Sequence, residues 1–267
     1  MTAAGGPARF VLARAGAHRP LLTAALLTVL LTTAVLATLT AYSATIGDAA
    51  LRHALADPRN AAGTTLAVKA DVPADRRAAA GTAVRRGAAR AFDGLPVTLR
   101  TLTRSGPYAL PRSLRPPEER ARTDDPDLTH FAALDRTQVR ITEGRMPRAA
   151  GGGTTIEAAL PETAARALGL RTGARLTLPD RLAGPSAKVL ITGLYRPVDV
   201  AAPYWRLDDL KGRGIVRVHF TTYGPLLADP AVLTGGRVSA GASWWLASAD
   251  FSRVGTDRIG PLREAAR

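Results

Sequence analysis

The stretch TIEAALPETAARALGLRTGARLTL, residues 155–178, indicates the fold class of this chain more directly than any other. Its first six residues are typical of a β-strand. Pro161 is then expected at the first position of a helix, because that position does not need an amide hydrogen, with Glu162 in the first turn. Gly169 or Gly173 is expected to end this short helix.

The residues that follow predict a hairpin. ARLTLPDRLAGPSAKVLITGLYRP, residues 174–197, has the pattern of two strands joined by a polar loop that contains Gly184 and Pro185. The central part of the chain is therefore predicted to fold as strand, helix and hairpin.

A strand, a helix and a second strand are predicted further upstream. TTLAVKADV, residues 64–72, alternates and is rich in β-branched residues. Pro73 opens an Ala- and Arg-rich helix that is expected to run to about Phe92 and to close at Gly94, and LPVTLRTLTRS (95–105) is the second strand. With short strands in the tail, these elements predict an α+β fold, a mixed α/β domain.

Residues 105–127 predict a long exposed loop, because they hold five prolines and a dense mixture of charges. The acids in this loop suggest Ca²⁺ binding or acid/base chemistry, but arginines are interleaved with them and the order of a calcium loop is absent. A solvated loop is the interpretation we favour, and whether it contacts a partner stays open.

The N-terminal part contains a strongly apolar segment, RPLLTAALLTVLLTTAVLATLTAY, residues 19–42. From Pro20 to Tyr42, with Leu21 and Leu39 near its two ends, it would form a helix of about 35 Å, enough to span the roughly 30 Å core of a bilayer. The competing interpretation is a signal peptide cut after Ser43. The segment is longer than the apolar region of such peptides, so a retained transmembrane anchor is expected.

Basic residues precede this segment, and no acid does. Arg9, Arg14 and Arg19 therefore predict a cytoplasmic N-terminus by the positive-inside rule, with the main domain outside the cell membrane. The expected organisation is a cytoplasmic basic lead (1–19), a transmembrane helix (20–42) continuing as a helical stalk to about residue 57, and an extracytoplasmic domain (60–267).

Composition excludes several functions. The chain has no Cys, which removes thiolate metal sites and Cys nucleophiles. Its net charge of +14 comes from 33 Arg and only three Lys, scattered among 22 acids, so we expect no nucleic-acid partner. The four histidines lie far apart and are expected on the surface or in loops, and no phosphate loop or serine elbow is present. No enzymatic activity, cofactor or metal is expected.

Several motifs together resemble the start of an FtsX-type or MacB-type ABC transporter permease. They are EGRMP (143–147), the strand–helix block at 155–178, VLITGLYRP (189–197) and PYWRLDDLKG (203–212). The resemblance implies a MacB-like periplasmic core domain after the first transmembrane helix, in a version similar to those of actinomycetes. It also implies a cytoplasmic ABC ATPase as partner, permeases that work in pairs, and further transmembrane helices.

No second apolar span occurs before Arg267, so the chain is expected to be a fragment, a truncated product or a stand-alone form. Two other functions stay open. The first is a stand-alone, membrane-anchored extracytoplasmic binding module that uses the 105–127 loop and Trp205, Trp244 and Trp245, although such tryptophans are more often core residues. The second is a secreted hydrolase, which the missing catalytic motifs disfavour.

Overall fold

The structure, a computed structural model, describes residues 19–115, 125–149 and 153–266. It divides into two units. The first contains the described residues up to Ala54 together with Val254–Ile259, and the second contains Leu55–Arg253 with the residues from Gly260 onward.

The first unit is dominated by one helix, α1, which runs without a break over the 38 residues Arg19–Ala56. The apolar segment and its Ala- and Leu-rich continuation are both helical, as their pattern predicts. Threonines within the apolar part donate their hydroxyl hydrogens to carbonyls one turn earlier: Thr28 to Ala24 at 2.9 Å, and Thr38 to Ala34 at 2.8 Å. These bonds conceal the polarity of the hydroxyl groups inside an apolar helix.

The second unit is rich in strands. Its strands are β1 (Thr65–Ala70), β2 (Val97–Ser105), β3 (Tyr108–Ala109), β4 (Leu128–Thr129), β5 (Phe131–Ala133), β6 (Val139–Gly144), β7 (Thr155–Pro161), β8 (Arg175–Leu178), β9 (Ala187–Pro197), β10 (Ile215–Arg217), β11 (Thr221–Tyr223), β12 (Leu226–Leu227) and β13 (Ala240–Ala249). The further helices are α2 (Ala61–Thr64), α3 (Arg77–Ala91), α4 (Glu162–Leu168), α5 (Pro230–Thr234) and α6 (Ile259–Ala265).

Two mixed sheets form in the part of the chain that the structure describes. The larger has nine strands in the order β1-β13-β2-β5-β12-β7-β9-β6, with β8 also paired to β9. The smaller has four strands in the order β10-β11-β4-β3. Parallel pairs (β7 with β9, β5 with β12, β4 with β11) occur among antiparallel ones. The α+β fold class predicted from the sequence is confirmed.

The central block folds as predicted. Strand β7 pairs in parallel with β9, α4 connects β7 to β8, and β8 and β9 form the antiparallel hairpin. Gly169 ends α4 with a φ of +65°, the left-handed conformation that glycine adopts without strain. Pro161 differs from expectation by one residue, because it ends β7 and caps α4, so Glu162 is the first helical residue.

The upstream strand–helix–strand prediction is correct in its elements and incomplete in its pairing. Strands β1 and β2 do not pair with each other, because β13 inserts between them and is antiparallel to both. Trp244 of β13 thus lies opposite Lys69 of β1 and Leu102 of β2.

The larger sheet buries side chains on both faces. In β7, Ile156, Ala158 and Leu160 join one apolar cluster, while Ala159 joins a second cluster with Tyr195. This alternation follows from the two-residue period of a strand. A strand buried on both faces is accordingly apolar nearly throughout its length, as β7 is.

The prediction of an exposed loop over residues 105–127 is wrong for its described part. Tyr108 is fully buried in β3, and Arg115 and Asp127 form a buried ion pair with Nε–Oδ2 at 2.6 Å. Because both side chains are only 7–8% exposed, the pair is shielded from solvent. Residues 116–124, including the acids Glu118, Glu119 and Asp124, lie outside the described residues.

The EGRMP and VLITGLYRP motifs meet at one point between β6 and β9. Gly144 pairs with Gly193, and a Cβ on Gly193 would lie 2.4 Å from the Arg145 carbonyl oxygen. Arg145 binds Glu157 of β7 through two hydrogen bonds of 2.6 Å each. That pairing lowers the pKa of Glu157 to about 2, so the carboxylate is ionised at neutral pH. The motifs therefore hold three strands together.

Candidate functional site

The apolar face of α1 is the first functional feature. None of the most apolar part of the helix is buried within the structure. Leu21, Leu39 and Tyr42 are 69%, 58% and 63% exposed, and Pro20 is also exposed. The helix is thus long and apolar enough to cross a membrane.

The predicted flanking arginines fall mostly outside the structure. Arg9 and Arg14 lie outside the described residues, and Arg19 is the first residue of α1. Their place relative to the apolar segment is known from the sequence.

Within the first unit, α1 is bonded to the segment Val254–Ile259 beyond its apolar part. Asp48 accepts hydrogen bonds from the backbone nitrogen of Thr256 at 2.8 Å and from its hydroxyl at 3.0 Å. These bonds lower the pKa of Asp48. Gly255 lies next to the contact, and a Cβ there would meet Asp48 Oδ2 at 3.2 Å. Asp48 therefore connects residues that are 208 positions apart in the chain.

A polar cleft of about 520 Å³ in the second unit is lined by residues from both sheets. Strand β13 is bulged beside it, between Ala240 and Ser243. Gly241 is required in this bulge, because a Cβ there would lie 2.5 Å from the Ser105 carbonyl oxygen. Bulges are frequent beside binding sites, where they terminate regular pairing and redirect the backbone.

Two buried polar side chains of the cleft have unused hydrogen-bonding capacity. The Thr129 hydroxyl is buried without a partner among the described residues. His130, only 8% exposed, makes no ring hydrogen bond to the part of the chain that the structure describes. Burial and the charge of Arg104 lower the pKa of His130 to about 4, against an opposing effect of Asp209. The ring is neutral at pH 7 and offers one donor and one acceptor.

The charges around the cleft are partly paired. Arg104 forms an ion pair with Asp209, and the Lys69 ammonium lies 4.4 Å from the centre of the Trp244 ring. Thr129 makes no hydrogen bond to His130, so the two do not form an activated nucleophile and base. Among the described residues, no group of three His, Asp or Glu side chains is placed to hold a metal ion. The cleft thus presents neutral polar groups together with a partly paired set of charges.

The described histidines occupy surface or loop positions, as the sequence predicts, but one of them is buried at this site. His53 and His219 are exposed, as expected, and His18 lies outside the described residues. His130 occupies a loop position, the single residue between β4 and β5, but it is buried rather than exposed. No local pattern marks such a position; only the pairing of β5 with β2 and β12 encloses it.

The tryptophans follow the interpretation that the sequence favoured. Trp205 and Trp245 are 2% and 4% exposed and belong to the interior, whereas Trp244 is half-buried beneath Lys69. Packing is therefore the main role of these side chains.

These observations define a mixed α+β protein with one long apolar N-terminal helix and a sheet-rich domain. Comparison of the chain with protein-family models, with curated proteins and with solved structures gave no match. Its function must therefore be inferred from its own residues.

Proposed function

We propose that this protein is the membrane-anchored, extracytoplasmic part of an ABC transporter permease, in which α1 is the first transmembrane helix. The observation that carries the proposal is the uninterrupted α1 helix, whose apolar part is fully exposed in the structure. An exposed apolar surface of this size is unfavourable in water and favourable in a bilayer. The resemblance of the GRMP and GLYRP motifs to permeases of the FtsX and MacB type supports the choice of protein class.

The proposed orientation follows from charge. Arg9, Arg14 and Arg19 precede the span without a compensating acid, which favours a cytoplasmic N-terminus in the cell membrane. The sheet-rich domain, of the MacB-like periplasmic core type, would then lie outside the cytoplasm.

The proposed mechanism is mechanical. A partner ATPase hydrolyses ATP in the cytoplasm, the permease acts as a pair, and this chain carries out no chemistry of its own. About 14 residues of α1 follow Tyr42, which corresponds to roughly 21 Å of helix beyond the apolar span. Helix α1 is unbroken, and Asp48 accepts a hydrogen bond from Thr256. A displacement of the apolar part of α1 would therefore move both the C-terminal end of this helix and the segment Val254–Ile259.

The topology can be tested directly because the chain has no native Cys. Single cysteines at Ser252, an exposed residue, and at Thr2 would be treated in intact cells with a membrane-impermeant maleimide. We expect Ser252→Cys to be labelled at once and Thr2→Cys only after the cells are permeabilised. Labelling of Thr2→Cys in intact cells, or loss of residue 2 from the mature protein, would refute the anchored orientation.

Coupling can be tested with an environment-sensitive dye on Ser252→Cys in membranes that also contain the ABC ATPase purified with this chain. ATP is expected to change the dye signal. A Pro-Gly insertion after Ala49 should abolish that change by breaking α1, whereas the same insertion after Pro185, in the exposed β8–β9 loop, should preserve it. An unchanged response after the Ala49 insertion, or failure to recover any ATPase, would refute the proposal.

A further inference from the structure

A second cavity, of about 530 Å³, lies beside the segment PYWRLDDLKGR, residues 203–213. Three cationic side chains line it, those of Arg206, Lys211 and Arg213, together with Trp205 and the small apolar residues 200–202. No carboxylate lines this cavity, which we call the cationic cavity. This composition differs from that of the polar cleft, where acids and bases are mixed.

The three cations are not neutralised by acids in the part of the chain that the structure describes. Arg206 donates to the Ala61 carbonyl oxygen at 3.2 Å and to the Thr65 hydroxyl at 3.4 Å, both uncharged acceptors. Lys211 and Arg213 form no ion pair with a described acid. Three like charges without counter-charges make the cavity strongly attractive to an anion.

The backbone that carries these cations is held in an unusual conformation. Lys211 has a φ of +51° and Gly212 a φ of +69°, both in the left-handed region. The buried carboxylate of Asp208 accepts hydrogen bonds from the backbone nitrogens of Leu210 and Gly212, at 3.2 and 2.9 Å. A Cβ on Gly212 would lie 2.7 Å from the Trp205 ring, so the turn is packed directly on that ring.

This turn costs free energy without an evident packing benefit at Lys211. A non-glycine residue in the left-handed region costs on the order of 1 kcal/mol, and such strain concentrates at ligand-binding sites. The result of the turn is that Lys211 and Arg213 line the same cavity as Arg206.

Trp205 forms part of the wall between this cavity and the core. Its side chain is 2% exposed and lines the cavity, yet its indole nitrogen has no hydrogen-bond partner among the described residues. Leaving a buried donor unpaired costs about 1–3 kcal/mol. An indole nitrogen can only donate, so Trp205 adds no acceptor to the wall of the cavity.

From these observations we infer that the cationic cavity binds an anion of the phosphate class. Every polar side chain on its wall is a donor, and arginine donors match the spacing of phosphate oxygens. This inference is independent of the proposed transport role, because it depends only on residues of the second unit.

The test uses the full chain in detergent and pyrophosphate as the probe, with binding measured by titration calorimetry. The double variant Lys211→Gln/Arg213→Gln removes two charges from the cavity. The matched control, Lys188→Gln/Arg196→Gln, removes two exposed charges from β9 and leaves the cavity lining unchanged. We expect the cavity variant to weaken binding at least tenfold and the control variant to change it less than twofold.

Titrations with inorganic phosphate and with short-chain phosphatidylglycerol, against short-chain phosphatidylcholine, distinguish a free phosphate from an anionic lipid headgroup. If the protein prefers phosphatidylglycerol over phosphatidylcholine and the cavity variant loses this preference, the ligand is a lipid headgroup. If it prefers pyrophosphate or phosphate, the ligand is a soluble anion. If no probe binds, or if the control variant weakens binding as much as the cavity variant, the inference is overturned. Circular dichroism of each variant shows that loss of binding is not loss of fold.

Discussion

Replacing Gly193 by alanine tests whether the junction of the two glycines between β6 and β9 is a structural requirement. The added Cβ would lie 2.4 Å from the Arg145 carbonyl oxygen and 3.1 Å from that of Glu143. Because real Cβ contacts are about 1 Å longer than the first distance, the two strands would have to separate there. The separation would also disturb the backbone bond from Arg145 to the Thr192 carbonyl, at 2.8 Å.

The expected magnitude follows from these contacts. Overpacking costs about 1–3 kcal/mol, and weakening a backbone hydrogen bond costs about 1 kcal/mol more. We therefore expect Gly193→Ala to lower the free energy of unfolding by about 3 kcal/mol. For a domain of this size, that corresponds to a fall in Tm of about 6–12 °C.

Gly87→Ala is the matched control. Gly87 lies inside α3, and its added Cβ would have nothing within 4 Å. The same chemical change should there raise the free energy of unfolding by about 0.5–1 kcal/mol, because alanine favours a helix over glycine. Thermal and urea unfolding of both variants in detergent, followed by circular dichroism, gives the comparison. A Gly193→Ala protein as stable as the wild type would refute the packing argument.

Three further expectations concern buried charges. Asp127→Asn should destabilise the protein by about 3 kcal/mol in urea unfolding, because it removes the buried carboxylate charge that accepts two hydrogen bonds from the Arg115 guanidinium; an Arg115→Met/Asp127→Leu protein less stable than the single variant would contradict this. The raised pKa of Asp208, about 6 and caused mainly by burial, opposes folding at neutral pH; this penalty, up to about 3 kcal/mol, is relieved as the pH falls from 6 towards 4. The lowered pKa of His130, about 4, has the opposite effect on stability. Its contribution to the free energy of unfolding is fully present above pH 6.5, and up to about 3 kcal/mol of it is lost on acidification to pH 4. Relative to the wild type, Asp208→Asn should therefore make the protein more sensitive to acid between pH 6.5 and 4, and His130→Asn should make it less sensitive. Equal dependence of the unfolding free energy on pH in the two variants would refute both pKa shifts.

The elements that could be predicted from the sequence are those set by local patterns. Strand β7, helix α4 and the hairpin of β8 and β9 follow one another within 43 residues, and each is marked by its own periodicity or turn residue. Helix α1 is similarly marked, because apolar composition and length suffice to identify it.

The pairings that were missed depend on residues far apart in the chain. The insertion of β13 between β1 and β2 joins residues near 70 with residues near 244, and no local signal specifies that choice. The prediction that residues 105–115 are exposed is wrong for a similar reason. Prolines and charges predict an exposed loop, but the burial of Tyr108 depends on packing against Phe131 across the smaller sheet and the larger one.

The candidate sites also differ in whether neighbouring residues or distant residues form them. The residues of the apolar part of α1 could be named from the sequence because they form one continuous segment. The polar cleft could not, since it assembles Lys69, His130 and Gly241 from separate strands and loops. The cationic cavity is intermediate: its residues lie within one motif, PYWRLDDLKGR, but their common orientation depends on the left-handed turn at Lys211.

The position of β13 between β1 and β2 also determines when the domain can be completed during synthesis. On the order of 140 residues separate the end of β2 from the end of β13. At a synthesis rate of roughly 5–20 residues per second, β1 and β2 would wait for about 7–30 seconds without the strand that joins them. Throughout that interval both strands present unpaired backbone edges, which are prone to associate with other chains. A chaperone that covers strand edges until β13 has been synthesised would therefore raise the yield of folded protein.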